Sequence, residues 1–179
     1  IRFHPELTKL PSVAILAFLS SWVRWLKEKG TIVTFSQTSD KVRRQLHAMG
    51  IYDATGLPSG VGEEVTTVPG YLVPLQSIED WNSVSVASNE VAELAIRHFD
   101  DARSFLPALE WATSELIDNV MNHAEIPSPG FACAVYDGKR KSLEVAVCDC
   151  GRGLKASLEE SHKILSHAHA IETAVRRGV

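Results

Sequence analysis

Cysteine is scarce: the 179 residues contain only Cys133, Cys148 and Cys150. An odd, low count offers no disulfide framework, and all three sit in apolar, strand-like surroundings, so a reduced, cytoplasmic protein is expected. Long apolar runs are missing too. The longest, Val13–Leu19, is bounded by Ser20 and Ser21 and falls well short of the roughly 18–20 residues that span a bilayer. No basic-then-apolar leader opens the chain, so no membrane partner is expected. The chain does not open on Met, and a trimmed N-terminus is expected. Charge of one sign is nowhere concentrated, and the formal net charge is −4, which removes the electrostatic case for a nucleic-acid partner. There is no internal repeat and no low-complexity segment.

What is present is the composition of a soluble globular protein, 45% hydrophobic and 22% charged. The length suits one large domain or two small ones. Residues 1–80 read as a layered α/β unit. Ser12 can cap a helix from about Val13 to Lys29, whose Ala14, Leu16, Leu19, Val23 and Leu26 recur at helical spacing, with Gly30 as its stop. The β-branched run Thr31–Phe35 predicts a buried strand. Ser39 or Asp40 then starts a helix through Met49, ended by Gly50. Residues 53–70 hold four glycines and two prolines and read as a linker. Tyr71–Leu75 predicts a short strand, and Pro74 places it at an edge.

A second unit, residues 83–179, follows. Asn89 can cap a helix through about Phe99. A long helix is expected from about Leu106 to Ala124, with Pro107 in its first turn. Phe131–Tyr136 and Ser142–Cys148 alternate across Asp137-Gly-Lys-Arg140, a hairpin signal. Ile164–Arg177 reads as a helix, stopped by Gly178.

Chemistry concentrates in two segments. In Glu115-Leu-Ile-Asp-Asn119-Val-Met-Asn-His123, at 100° per residue, Glu115, Asn119 and His123 fall within about 80° of each other, with Asp118 and Asn122 beside them. Leu109, Thr113, Leu116, Ile117, Val120 and Ala124 take the opposite side, as for packing on a sheet. A solvated face is the plain alternative. Asn is a poor mid-helix residue, however, because its amide competes for backbone hydrogen bonds, and two of them beside Asp118 favour a site. An Asn amide oxygen is a hard neutral ligand suited to Mg²⁺. A Glu one turn earlier can orient or deprotonate a hydroxyl, and a His one turn later can bond a phosphate oxygen.

The second segment is Asp149-Cys-Gly151-Arg-Gly153, at the end of the strand Val145–Asp149. Its glycines permit positive φ or close approach to a ligand. A strand-end carboxylate can accept from an exocyclic amine and so read adenine. An ordinary turn is the alternative.

Taken together, the two segments suggest a nucleotide site without a P-loop, and they resemble the GHKL ATP-binding superfamily. That group includes gyrase-type topoisomerases, mismatch-repair ATPases, heat-shock chaperone ATPases, sensor histidine kinases and anti-sigma-factor serine kinases. Its N-box resembles Glu115–His123 and its G1 box resembles Asp149–Gly153; the resemblance covers roughly residues 85–179. It implies a Bergerat fold, an α/β two-layer sandwich, holding ATP and Mg²⁺ between helices and sheet. It implies Asn119 as the Mg²⁺ ligand, Asp149 as the reader of the adenine amine, and Gly151 and Gly153 shaping the pocket with Asn122 and His123 beside the nucleotide. Glu115 as catalytic base resembles the ATPases and serine kinases, since histidine kinases usually carry Asn there. The glycine-rich G2 box is absent before Val179, so residues 155–179 are expected to begin an ATP lid. The first unit resembles the later part of a STAS-like domain, a kind that often accompanies serine kinases. Ser12 then stands where a phosphoacceptor could be, with an ordinary N-cap as the favoured alternative.

The expected function is that of an ATP- and Mg²⁺-binding regulatory protein, a serine protein kinase or anti-sigma-type regulator with a protein partner. A non-catalytic nucleotide sensor and a slow ATPase are the alternatives, and a homodimer is one expected assembly. His162, His167 and His169 with Cys148 and Cys150 match no standard zinc spacing. Trp22, Trp25, Trp81 and Trp111 are expected in the core or between the units. Arg43, Arg44, Arg176 and Arg177 are expected on solvated faces, with Arg176 and Arg177 able to reach phosphates if a lid closes.

Overall fold

The structure, a computed structural model, describes residues 12–36, 39–58, 70–123 and 130–176, with the backbone alone at His123. It is a mixed α/β fold. Ser12 opens α1 (Val13–Glu28), its hydroxyl accepting from the Ala14 N–H at 3.1 Å. Ser39 does the same for α2 (Asp40–Ala48), accepting from the Val42 N–H at 3.3 Å. Each cap satisfies an N–H that has no partner within its helix. A short α3 (Ile51–Thr55), which the sequence did not suggest, follows Gly50. Lys27 of α1 donates to the carbonyls of Thr55 at 2.8 Å and Gly56 at 3.0 Å, closing the C-terminal end of α3.

The strand expected at Thr31–Phe35 does not form; only Ser36 makes an isolated bridge. Val33 and Phe35 still turn towards the core, while Ile32 is 92% exposed. β-branched residues favour a strand only where a neighbouring strand gives them a surface to pack on.

Among the described residues the sheet has three antiparallel strands in the order β1 (Leu72–Ile78), β2 (Gly130–Asp137), β3 (Ser142–Cys148). The hairpin pairs Phe131 with Cys148 and Asp137 with Ser142. β1 is the edge strand that Pro74 implied, and its register slips between Val73 and Gln76. At the slip, the Leu75 N–H donates to the Met49 carbonyl at 2.8 Å instead of to the ladder.

Helices cover both faces. Phe131, Cys133 and Ala146 point to the side where Val13, Leu16, Ala17 and Val23 of α1, Leu46 of α2 and Ile51 of α3 pack with Leu72 and Leu75. Ala132 and Ala134 point the other way, to Val84, Ala87, Val91 and Leu94 of α4 (Trp81–His98) and Ile117 and Val120 of α5 (Ala102–His123). The packing therefore crosses the expected boundary near residue 80: β1 pairs with β2, and α1 lies on β2 and β3. Three polar contacts reinforce that docking. Ser12 bonds the Glu144 carboxylate, the Ser21 hydroxyl donates to the Cys148 carbonyl at 3.1 Å, and the Cys133 thiol faces the Val13 carbonyl at 3.7 Å.

α4 begins at Trp81, well before the expected Asn89, because Asp80 and Ser83 form a capping box. The Asp80 carboxylate accepts from the Ser83 N–H at 2.7 Å, and the Ser83 hydroxyl accepts from the Asp80 N–H at 3.0 Å. That backbone bond, then the Ser83 side chain, holds the Asp80 carboxyl below its ordinary value of 3.8. A depressed carboxyl stabilises the fold above the unfolded value and loses that effect as pH falls through the folded one. Asp80→Ala is expected to lower the melting temperature by a few degrees at pH 7 and to leave a shallower decline on acidification below about pH 4. Melting curves across that range test it.

α5 starts at Ala102, earlier than the expected Leu106, so Pro107 lies inside the helix and removes one backbone bond there. Leu116, expected on its packing side, is 52% exposed. Ala124 lies outside the described residues. The last elements are α6 (Gly153–Glu159), which the sequence did not suggest, and α7 (His167–Ala174), shorter than the expected Ile164–Arg177. The four tryptophans expected in the core or between the units are at the surface, between 38% and 69% exposed.

Gly130 lets α5 approach β2 closely. A Cβ there would run into Val120 Cγ1 and come within 3.2 Å of the Cys148 carbonyl oxygen. Gly130→Ala is expected to cost about 1–3 kcal/mol through overpacking, read as a lower denaturant midpoint with an unchanged slope.

Candidate functional site

α5 carries the first chemical segment. Thr113, Ile117 and Val120 are its buried stripe against the sheet. At 100° per residue, Asn119 points about 120° from the centre of that stripe and Glu115 about 160°. Glu115, Asn119 and Asn122 are exposed, and Asp118 is half-buried. Among the described residues none of these side chains takes part in a hydrogen bond or ion pair. His123 is the last residue of α5, and its side chain lies outside the described set. Trp111, one turn before Glu115 and 69% exposed, stands on the same face. Its spacing of four from Glu115 was the signal, but a tryptophan reads as core.

Asp149 lies half-buried just past the end of β3. One carboxylate oxygen, Oδ1, accepts from the Gly151 N–H at 2.6 Å, closing an Asx turn. Among the described residues the other oxygen makes no hydrogen bond. Gly153 opens α6 at φ 75°, a left-handed conformation that disfavours any side chain, with open space around it. Arg152 joins Glu160, holding that carboxyl below its usual range, and Lys155 pairs with Glu159 at 3.2 Å. α5 touches both β3 and α6, so the two segments sit on neighbouring elements. No hydrogen bond joins the Glu115–Asn122 face to Asp149 or Gly151 among the described residues.

The donor chemistry fits a hydrated Mg²⁺ with a nucleotide. Asn119 offers an amide oxygen to solvent with no competing partner, and a magnesium ion needs only one or two protein ligands beside phosphates and water. The unengaged Asp149 oxygen suits an amine donor.

Among the described residues no three His, Cys, Asp or Glu side chains converge as metal ligands. His162 bonds the Ser161 hydroxyl at 2.8 Å, and His169 accepts from the Leu165 N–H at 3.2 Å. All three cysteines are free thiols. Burial first, then the charges of Glu144 and Cys148, pushes the Cys133 thiol up to about 12. The thiolate is the reactive form, so Cys133 is expected to escape alkylation at pH 8 in the native protein and to be labelled fully in denaturant. Mass spectrometry of the labelled peptides reads the difference.

No helix of the described residues is long and apolar enough to cross a membrane. Comparison with family models, with curated proteins and with solved structures gives no match.

Proposed function

We propose that this chain is an ATP- and Mg²⁺-binding regulatory protein of the GHKL type, acting as a serine protein kinase on a protein partner. The observation that carries the reading is that, among the described residues, the polar face of α5 makes no hydrogen bond and one oxygen of Asp149 is unengaged, on elements that touch one another. Asn119, inside α5, is a weak helix former on this face, while Asn122 is the helix's penultimate residue. In this reading Asn119 holds the ion through its amide oxygen, and Asp149 accepts from the exocyclic amine of adenine. Gly151 and Gly153 keep the turn free of side chains, and Asn122 and His123 border the phosphates. Glu115 orients a serine hydroxyl and takes its proton. The ion, when bound, neutralises phosphate charge. The finer architecture belongs to the same proposal: a Bergerat-type unit over residues 83–179 that shares its sheet with β1 of a STAS-like unit over residues 1–80, in a cytoplasmic protein.

One observation favours a second reading, the non-catalytic nucleotide sensor. Glu115 points nearly away from the sheet, a direction that suits a partner contact as well as a base. Full-length protein incubated with labelled ATP, Mg²⁺ and cell extract separates the cases. Phosphoserine on a partner supports the kinase, and free phosphate alone supports a slow ATPase. Binding with neither product leaves the sensor. Glu115→Ala is expected to keep nucleotide affinity and lower turnover by about 100-fold or more. Unchanged turnover in that variant excludes Glu115 as the base.

A further inference from the structure

The outer side of α1 carries a feature that the nucleotide reading does not use. Ile15, Phe18, Trp22 and Trp25 are 46%, 56%, 40% and 38% exposed. They form one stripe, opposite the Val13, Leu16, Ala17 and Val23 that pack on the sheet. Half-buried Leu19 and Leu26 extend its flank. A contiguous apolar patch of this kind marks an interaction surface.

We propose that this stripe is the contact through which two copies of the chain pair, with their α1 helices antiparallel. Two features of the sequence identify a second copy as the occupant. The first is spacing. Positions 15, 18, 22 and 25 step by three, four and three, the alternation of a coiled-coil seam. That pattern reads the same in both directions about position 20. A two-fold axis there sets Ile15 against Trp25 and Phe18 against Trp22, twice each, as an isologous contact requires.

The second feature is charge. Val13–Val23 contains no charged residue, and Arg24, Lys27 and Lys29 gather at the C-terminal end of the helix with Glu28 among them. Lys27 is engaged on Thr55 and Gly56, while Lys29 lies over the Trp25 ring at 5.9 Å. The N-terminal end carries the exposed carboxylate Glu144, bonded to Ser12. Antiparallel pairing brings the basic end of one helix towards Glu144 of the other copy and opposes the two helix dipoles. Parallel pairing sets like ends together. This inference is independent of nucleotide binding.

Analytical ultracentrifugation of the full chain tests it. The wild type is expected to sediment as a concentration-dependent dimer. Phe18→Lys and Trp22→Glu, both at exposed positions, are each expected to be monomeric with unchanged circular dichroism and melting. An equimolar mixture of the two variants is expected to regain the dimer, because antiparallel pairing sets the new ammonium against the new carboxylate and leaves the remaining Phe18 against Trp22. A monomeric wild type overturns the proposal, and so does a dimer that survives both substitutions. Monomeric variants whose mixture stays monomeric overturn the antiparallel register. Ile15→Glu serves as an independent disrupting variant should either of the first two unfold, and a persistent dimer in it counts against the stripe.

Discussion

Asn119→Ala is expected to abolish the magnesium dependence of ATP binding, weakening affinity in the presence of Mg²⁺ by about 10- to 100-fold, or roughly 1.4–2.7 kcal/mol. Asn119 is exposed and its side chain makes no hydrogen bond among the described residues. Removing it therefore takes nothing from the fold, and alanine is the better helix former. The melting temperature should stay level or rise slightly while affinity falls, which separates a ligand role from a structural one. Calorimetric titration with ATP, with and without Mg²⁺, reads both quantities on one sample. Asn119→Asp keeps an oxygen donor at that place and is expected to retain Mg²⁺-dependent binding. Equal affinity of wild type and Asn119→Ala in Mg²⁺ removes the assignment.

The second large effect is expected at Asp149, whose two oxygens have separate tasks in the proposed site. Oδ1 takes the Gly151 N–H at 2.6 Å and holds the turn, and in the proposed site the other oxygen meets the purine. A hydrogen bond to a charged acceptor is worth about 1.5–3 kcal/mol, so Asp149→Ala is expected to reduce the preference for ATP over GTP by about 10- to 100-fold. Asp149→Asn is the sharper variant. Its amide oxygen can still accept from Gly151, while its NH₂ faces the purine. That group repels the adenine amine and can donate to the guanine carbonyl, so the preference is expected to move towards GTP. Competition titrations with the two nucleotides measure it. An ATP-to-GTP ratio unchanged in both variants rules out Asp149 as the purine reader.

Local signals in the sequence were read well where a short-range rule decides them. Ser12 and Ser39 cap their helices because a hydroxyl next to a free N–H needs no distant partner. The β2–β3 hairpin followed from alternation around Asp137–Arg140, and Asp137 Oδ1 indeed accepts from the N–H groups of Lys139 and Arg140. Pro74 marked an edge strand because proline cannot donate to a ladder.

The failures were long-range. Thr31–Phe35 has strand composition but joins no ladder among the described residues, and Val33 and Phe35 reach the core from an irregular backbone. The pairing of β1 with β2 joins residues far apart in the chain, which no window of sequence displays. The start of α4 is the short-range exception: the Asp80–Ser83 capping box, three residues apart, sets it well before Asn89. Tryptophan exposure escaped because hydrophobicity argues for burial until the partner surface of α1 is known to be the opposite one. At the candidate site, the spacing of Glu115 and Asn119 fixed the face they share. Which way that face points depends on how Ile117 and Val120 meet Ala132, and that is a property of packing.

The central claim is that Asn119 and Asp149 serve one nucleotide. A crystal structure of the full chain with Mg²⁺ and a non-hydrolysable ATP analogue tests it most directly. The Asn119 amide oxygen is expected on the ion and the Asp149 carboxylate within hydrogen-bonding distance of the adenine amine. A nucleotide bound elsewhere, or one that leaves either side chain in solvent, contradicts it.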